Sequence, residues 1–167
     1  AFGYRFADGR QPTAVGETPP MSDLEPGPVN EALARAAASF VLAHPLPIIA
    51  QWEVAHVLDH LGIPDVVSVE PDHTDDGSVV YLSTAGVIEK GLRLAADAGI
   101  AVGSAGVIGH ADHAQRCLLT AAATGLRAAV PEGVDLPTDY DPRSGQPWTR
   151  SRTDFIAVDL MARSFMA

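Results

Sequence analysis

The nine residues GHADHAQRC, Gly109 to Cys117, hold two histidines, an aspartate, an arginine and a cysteine. Imidazole titrates near neutral pH, so His110 and His113 have the chemistry of general acids and bases. Arg116 presents a planar fork of donors to a phosphate or carboxylate. Cys117 acts as a nucleophile only if exposed and lowered in pKa; one helical turn in and followed by LLT, it reads as buried and inert. Glu53, His56 and His60 fall on one stripe of a second helix, and HVLDH carries the H-x-x-[DE]-H pattern with Asp at the acidic position. Helical histidines four residues apart can chelate zinc. That group, or the His110 and His113 pair, supports an alternative as a metal-dependent hydrolase, weighed against a merely polar helix face. A non-catalytic ligand-binding or interaction domain is the other alternative.

Three further segments offer binding chemistry. Ser83 and Thr84 stand at a helix start, where free backbone N–H groups and the helix dipole favour an anion; ordinary N-capping is the plainer reading. Gln51, Trp52 and Glu53 come straight after a buried apolar run. Trp52 is placed either to stack on a planar ligand or to fill the core, while Glu53 suits the first turn of a helix. The stretch DYDPRSGQPWTRSR joins Tyr140 and Trp148 to Arg143, Arg150 and Arg152, a cationic, aromatic wall in an otherwise acidic chain. Asp72, His73, Asp75 and Asp76 crowd one loop, where turn chemistry accounts for them.

These groups need elements to hold them. Helical periodicity marks NEALARAAASFVLAH with Asn30 as its cap, QWEVAHVLDHLG, STAGVIEKGLRLAADAG, ADHAQRCLLTAAATG and TDFIAVDLMARSFM. Short apolar runs, AFGYRF, LPIIA, IPDVVSV, IAVGSAGVI and LRAAV, read as strands between them. Strands alternating with helices imply an α/β domain: a three-layer αβα, Rossmann-like arrangement of about five mostly parallel strands with helices on both faces. Residues 1–167 form one domain, with a long N-terminal loop at 7–28 and a long C-terminal loop at 131–152. Ligands of open parallel sheets bind beyond the strand carboxyl ends. That rule gathers Gly3, Tyr4, Gln51, Trp52, Ser83, Thr84, Arg116, Tyr140, Trp148 and Arg150 as ligand-binding candidates, with His110, His113 and Glu53 as catalytic ones.

The formal charge of −10 argues against nucleic acid, which needs clustered Lys and Arg. It leaves room for a small anionic ligand held by local cations. No apolar run reaches the length of a membrane span. One cysteine, Cys117, rules out an intramolecular disulfide and suits a reducing, cytoplasmic setting. A removed anchor, the cofactor, the metal content and the oligomeric state are left open.

FGYRFADGR, IIAQWEVAHVLDHLGIP, YLSTAGV and the His110/His113–Arg116 segment, in this order, resemble the YdcF/SanA/ElyC-like family, named for domain of unknown function 218. The chain departs from that pattern at Gln51-Trp52-Glu53, where many members carry a Ser-Gly-Gly type turn. It departs again at Ala85-Gly86, where an asparagine often follows the Thr. The resemblance implies a three-layer α/β fold, nucleotide-type ligand binding and a link with bacterial envelope biogenesis. It implies no particular reaction. The reading that results is an α/β protein binding a small anionic molecule, nucleotide- or sugar-phosphate-like, and acting by transfer or hydrolysis.

Overall fold

The computed structural model describes residues 1–12 and 19–164. Strands β1 (Arg5–Phe6) and β2 (Leu24–Glu25) pair antiparallel, and helix α1 (Pro28–Ala43) follows. Strand β3 (Ile48–Gln51), helix α2 (Trp52–His60) and strand β4 (Val66–Val69) form a parallel unit, with Ile48 opposite Val66 and Gln51 opposite Val69. Strands β5 (Asp72–His73) and β6 (Val79–Val80) make a small hairpin before helix α3 (Thr84–Asp97). A second parallel unit comprises β7 (Ser104–Gly106), α4 (Ala111–Ala123) and β8 (Arg127–Ala129). Helix α5 (Arg152–Ser164) comes last.

The mixed α/β class is as expected, with five helices among the described residues. Among the described residues, however, the strands are joined by hydrogen bonds in four separate pairs, two parallel and two antiparallel. The strand expected over IAVGSAGVI shrinks to Ser104–Gly106; its glycines give a ladder little side-chain packing to hold it. The expected 7–28 loop contains β2 and a 3₁₀ turn at Met21–Asp23, and its residues 13–18 lie outside the described set.

Asn30 is not the cap of α1. The helix starts at Pro28, whose missing N–H costs nothing in the first turn, and Gly27 takes the cap position. Asn30 sits inside the helix, fully buried. Its amide oxygen accepts from the Phe2 N–H at 2.7 Å, and its nitrogen donates to the Gly3 and Pro26 carbonyls at 2.7 Å each. One side chain thus replaces strand partners for the N-terminal segment.

Helix α1 buries Val29, Leu33, Ala34, Ala37 and Ala38, a stripe of helical spacing. It packs on Ala50, Val54, Ala55 and Leu58, with Phe2 and Phe155 completing the main core. Burial of Leu33 and of Leu58 stabilises by about 2 kcal/mol each. Ile48, Ala50 and Val66 face this core. The alternate residues Ile49 and Val69 meet α3 at Gly91, where a β-carbon would lie 2.7 Å from Ile49 Cγ2. The β3–β4 pair is therefore covered on both faces. A second core joins Tyr4, Phe6, Leu24, Trp52 and Val79.

The C-terminal loop closes over the N-terminal segment. Arg5 donates to both Asp141 oxygens, at 2.6 and 2.8 Å. Gly145 N–H donates to the Tyr4 carbonyl at 2.7 Å. Ser144 and Thr149 share a 2.7 Å hydroxyl bond beneath Gly3.

Candidate functional site

Glu53 enters α2 directly after β3, with Gln51 at the helix cap. Its side chain is 1% exposed, and its Oε2 has no hydrogen-bond partner among the described residues. Burial drives the carboxyl up to about 7, and the Glu70 charge pushes the same way. Ala1 N donates to Gln51 Oε1 at 2.8 Å. The Ala1 nitrogen lies near enough to Glu53, His113 and Cys117 to act on each electrostatically, which places the three around residue 1.

His113 stands in the first turn of α4. Its Nδ1 is covered and has no hydrogen-bond partner among the described residues. Burial, then the Arg116 charge, pushes its pKa down to about 3, so the ring is neutral at pH 7. Cys117, half-buried, has its thiol pushed up by burial, which suits the inert reading.

His110 is placed differently from expectation. It is fully buried and stacks on Phe2 at a centroid distance of 4.0 Å. Its Nδ1 accepts from the Asp112 N–H at 3.3 Å, and its Nε2 faces the Asp139 carbonyl at 3.1 Å. A backbone N–H can only donate and a carbonyl can only accept, so the two contacts together fix the neutral ring with its proton on Nε2. Both nitrogens are spent on capping α4 and anchoring the following loop. The acid–base role expected of His110 finds no free atom here.

Arg116 and Thr84 do come together, at 3.1 Å between Nη1 and Oγ1. The guanidinium is also ion-paired with buried Asp159 at 2.5 Å, and Asp159 takes Arg163 at 2.5 Å on its other oxygen. Two cations thus face one carboxylate, with a surplus positive charge beside the start of α3. Ser83 caps that helix, accepting from the Gly86 N–H at 3.1 Å.

The other candidates serve the scaffold in large part. Trp52 lies in the second core, 7% exposed, and does not stand open for stacking. The Tyr4 ring stacks on Tyr81 at 5.0 Å, and the Gly3 carbonyl is held by Asn30. Tyr140 donates its hydroxyl to Asp112 at 2.8 Å, and Arg152 binds the same carboxylate through two nitrogens. Arg150 braces the Ser144 carbonyl at 2.8 Å. Trp148, 39% exposed, lies on the outer side of that loop. The segment expected as a cationic, aromatic wall is in the structure a loop tied to itself and to Tyr4.

Glu53, His56 and His60 share a stripe but not a depth. Glu53 is buried in the first turn, while His56 and His60 are exposed further along, with His60 Nδ1 on the His56 carbonyl at 2.7 Å. Among the described residues no three metal-ligating side chains come together, so neither expected metal group is assembled. Sequence reading missed what Asn30, Asp112, Asp141 and Asp159 do, since each has a partner 28 to 136 positions away. The Asp159–Arg163 spacing of four was a local signal.

Comparisons with protein-family models, with curated proteins and with solved structures returned no match to this chain.

Proposed function

We propose that this chain binds a small anionic molecule, nucleotide- or sugar-phosphate-like, and acts on it by transfer or hydrolysis, with Glu53 as the proton-carrying group. The observation that carries this reading is the buried Glu53 carboxyl, left with an unpartnered oxygen at the carboxyl end of a parallel strand. A carboxyl that titrates near neutral pH is suited to give and take a proton. His113, neutral and with Nδ1 unpartnered among the described residues, is the second polar group of the site. The Arg116–Thr84 pair and the surplus charge of Arg116 and Arg163 over Asp159 favour an anion there.

The architecture belongs to the same proposal. Ala1 touches Gln51 at the end of β3, and Phe2 stacks on His110 just beyond β7. Residues 1–4 are then the central rung between the two parallel pairs, giving one doubly wound, three-layer Rossmann-like sheet. The likeness to the YdcF/SanA/ElyC-like family and a cytoplasmic setting are read in the same way, the second from the free Cys117. No helix among the described residues is long and apolar enough to cross a membrane.

A thermal-shift screen with inorganic phosphate, nucleotides and sugar phosphates tests the function. A hit is expected to stabilise the wild type, to lose that effect in Arg116→Ala, and to bind with a midpoint near pH 7 that Glu53→Gln abolishes. Stabilisation that is the same in all three proteins places the ligand elsewhere. Binding that depends on Arg116 without turnover of the hit selects the non-catalytic alternative.

A further inference from the structure

A trough of about 670 Å³ runs along the outer side of α2, apart from Glu53, His113 and Arg116. Val66, Ser68 and Glu70, successive same-face positions of β4 and its end, form one wall. Ala55, His56 and Asp59 of α2 form the other. Leu24, Pro26, Trp52 and Ile63 supply apolar floor and ends. At a rise of ~3.3 Å per residue, the wall from Val66 to Glu70 is about 13 Å long, room for about four extended residues.

Two features say what fits. First, four carboxylates line the trough, Glu25, Asp59, Asp65 and Glu70, and no lysine or arginine does. None of the four is ion-paired among the described residues. Arg5 reaches Glu25 only at longer range and is itself held by Asp141. Second, β4 is hydrogen-bonded only to β3 among the described residues, and no β3 residue lines the trough. The trough therefore lies away from β3, next to the edge of β4 that is unpaired among the described residues, whose N–H and C=O groups can accept another strand. A second copy of the chain is a poor occupant, because it would bring another −10 charges to an acidic surface.

We propose that this trough docks an extended, lysine- or arginine-bearing segment of a partner protein, laid alongside β4 with its cations against Asp59, Asp65 and Glu70 and its apolar side chains on Leu24 and Ile63. His56 is the one histidine lining the trough, and Glu25 adds to the attraction at the far end.

The test uses a labelled peptide of alternating lysine and valine, its glutamate–valine counterpart, and spermine, each titrated against the whole chain by fluorescence anisotropy or competition. The lysine peptide is expected to bind, to weaken with salt, and to lose about tenfold in affinity in Asp59→Asn/Glu70→Gln. Both positions are exposed, so the double variant is expected to keep the wild-type melting temperature, which is measured alongside. The proposal is overturned by failure of the lysine peptide to bind, or by equal binding of the glutamate peptide. It is overturned too by undiminished affinity in the folded double variant. Spermine binding as tightly as the peptide would make the trough a small-polycation site instead.

Discussion

Glu53 and His113 are both titratable and both largely hidden from water, and burial moves them in opposite directions for one reason. Each is held in its neutral form, the carboxyl by keeping its proton and the imidazole by losing one. For Glu53 this has a signed consequence. The folded chain releases the proton near pH 7, whereas an unfolded chain releases it near 4.5. Between those values the folded state binds more protons, so Glu53 lowers stability as pH rises, and the loss levels off above 7. Glu53→Gln cannot titrate. Its stability relative to wild type is expected to climb between about pH 5 and about pH 8, by at most about 3 kcal/mol, read from denaturant unfolding at both pH values. Parallel pH profiles for the two proteins would show that Glu53 is not buried as described. The sequence held no sign of this carboxyl's depth. A Glu in the first turn of a helix is an ordinary, dipole-favoured choice, and nothing local tells a solvated one from one that the rest of the fold buries.

At the scale of elements, the helices were legible because their signals are local. Apolar spacing marks each buried stripe, and Gly62, Gly99 and Gly125 adopt positive φ just past α2, α3 and α4. Their ends were accordingly read to within a residue or two. The start of α1 was misread because Pro28 opens the helix and frees Asn30 to bridge to Phe2 and Gly3, a choice that depends on residues 28 and 27 positions earlier. The docking of the C-terminal loop onto Tyr4 was equally hidden, since it joins positions some 140 apart. That docking depends on Gly145. A β-carbon there would fall against the Tyr4 ring, inside van der Waals contact. Tyr4 cannot yield easily, because it is buried and stacked on Tyr81. Gly145→Ala is expected to cost about 1–3 kcal/mol in denaturant unfolding, while Gly133→Ala, whose β-carbon meets nothing within 4 Å, loses only what its positive φ demands. Equal costs at the two positions would mean that the loop does not clamp the N-terminal segment.

Across the whole molecule, the trough and the buried site are separate in their residues yet joined by charge. Glu70 lines the trough, and its carboxylate also holds the Glu53 proton more tightly. Removing that charge must therefore ease the ionisation of Glu53. Glu70→Gln is expected to lower the Glu53 pKa, followed by the carboxyl carbon chemical shift in an NMR titration. The change is expected to be smaller than the displacement caused by burial, which is the leading cause of the raised value. A lysine placed over Glu70 by a docked segment would act in the same direction, since a cation there cancels the carboxylate's field. The two perturbations should not add: once Glu70 is neutral, the lysine–valine peptide has less charge to cancel and should shift Glu53 further only through its other cations. A Glu53 titration that moves with neither the substitution nor the peptide would leave the trough and the site as independent surfaces of one chain. Movement with both would mean that occupancy of the trough sets the protonation of Glu53 near neutral pH, where its carboxyl is balanced between its two forms.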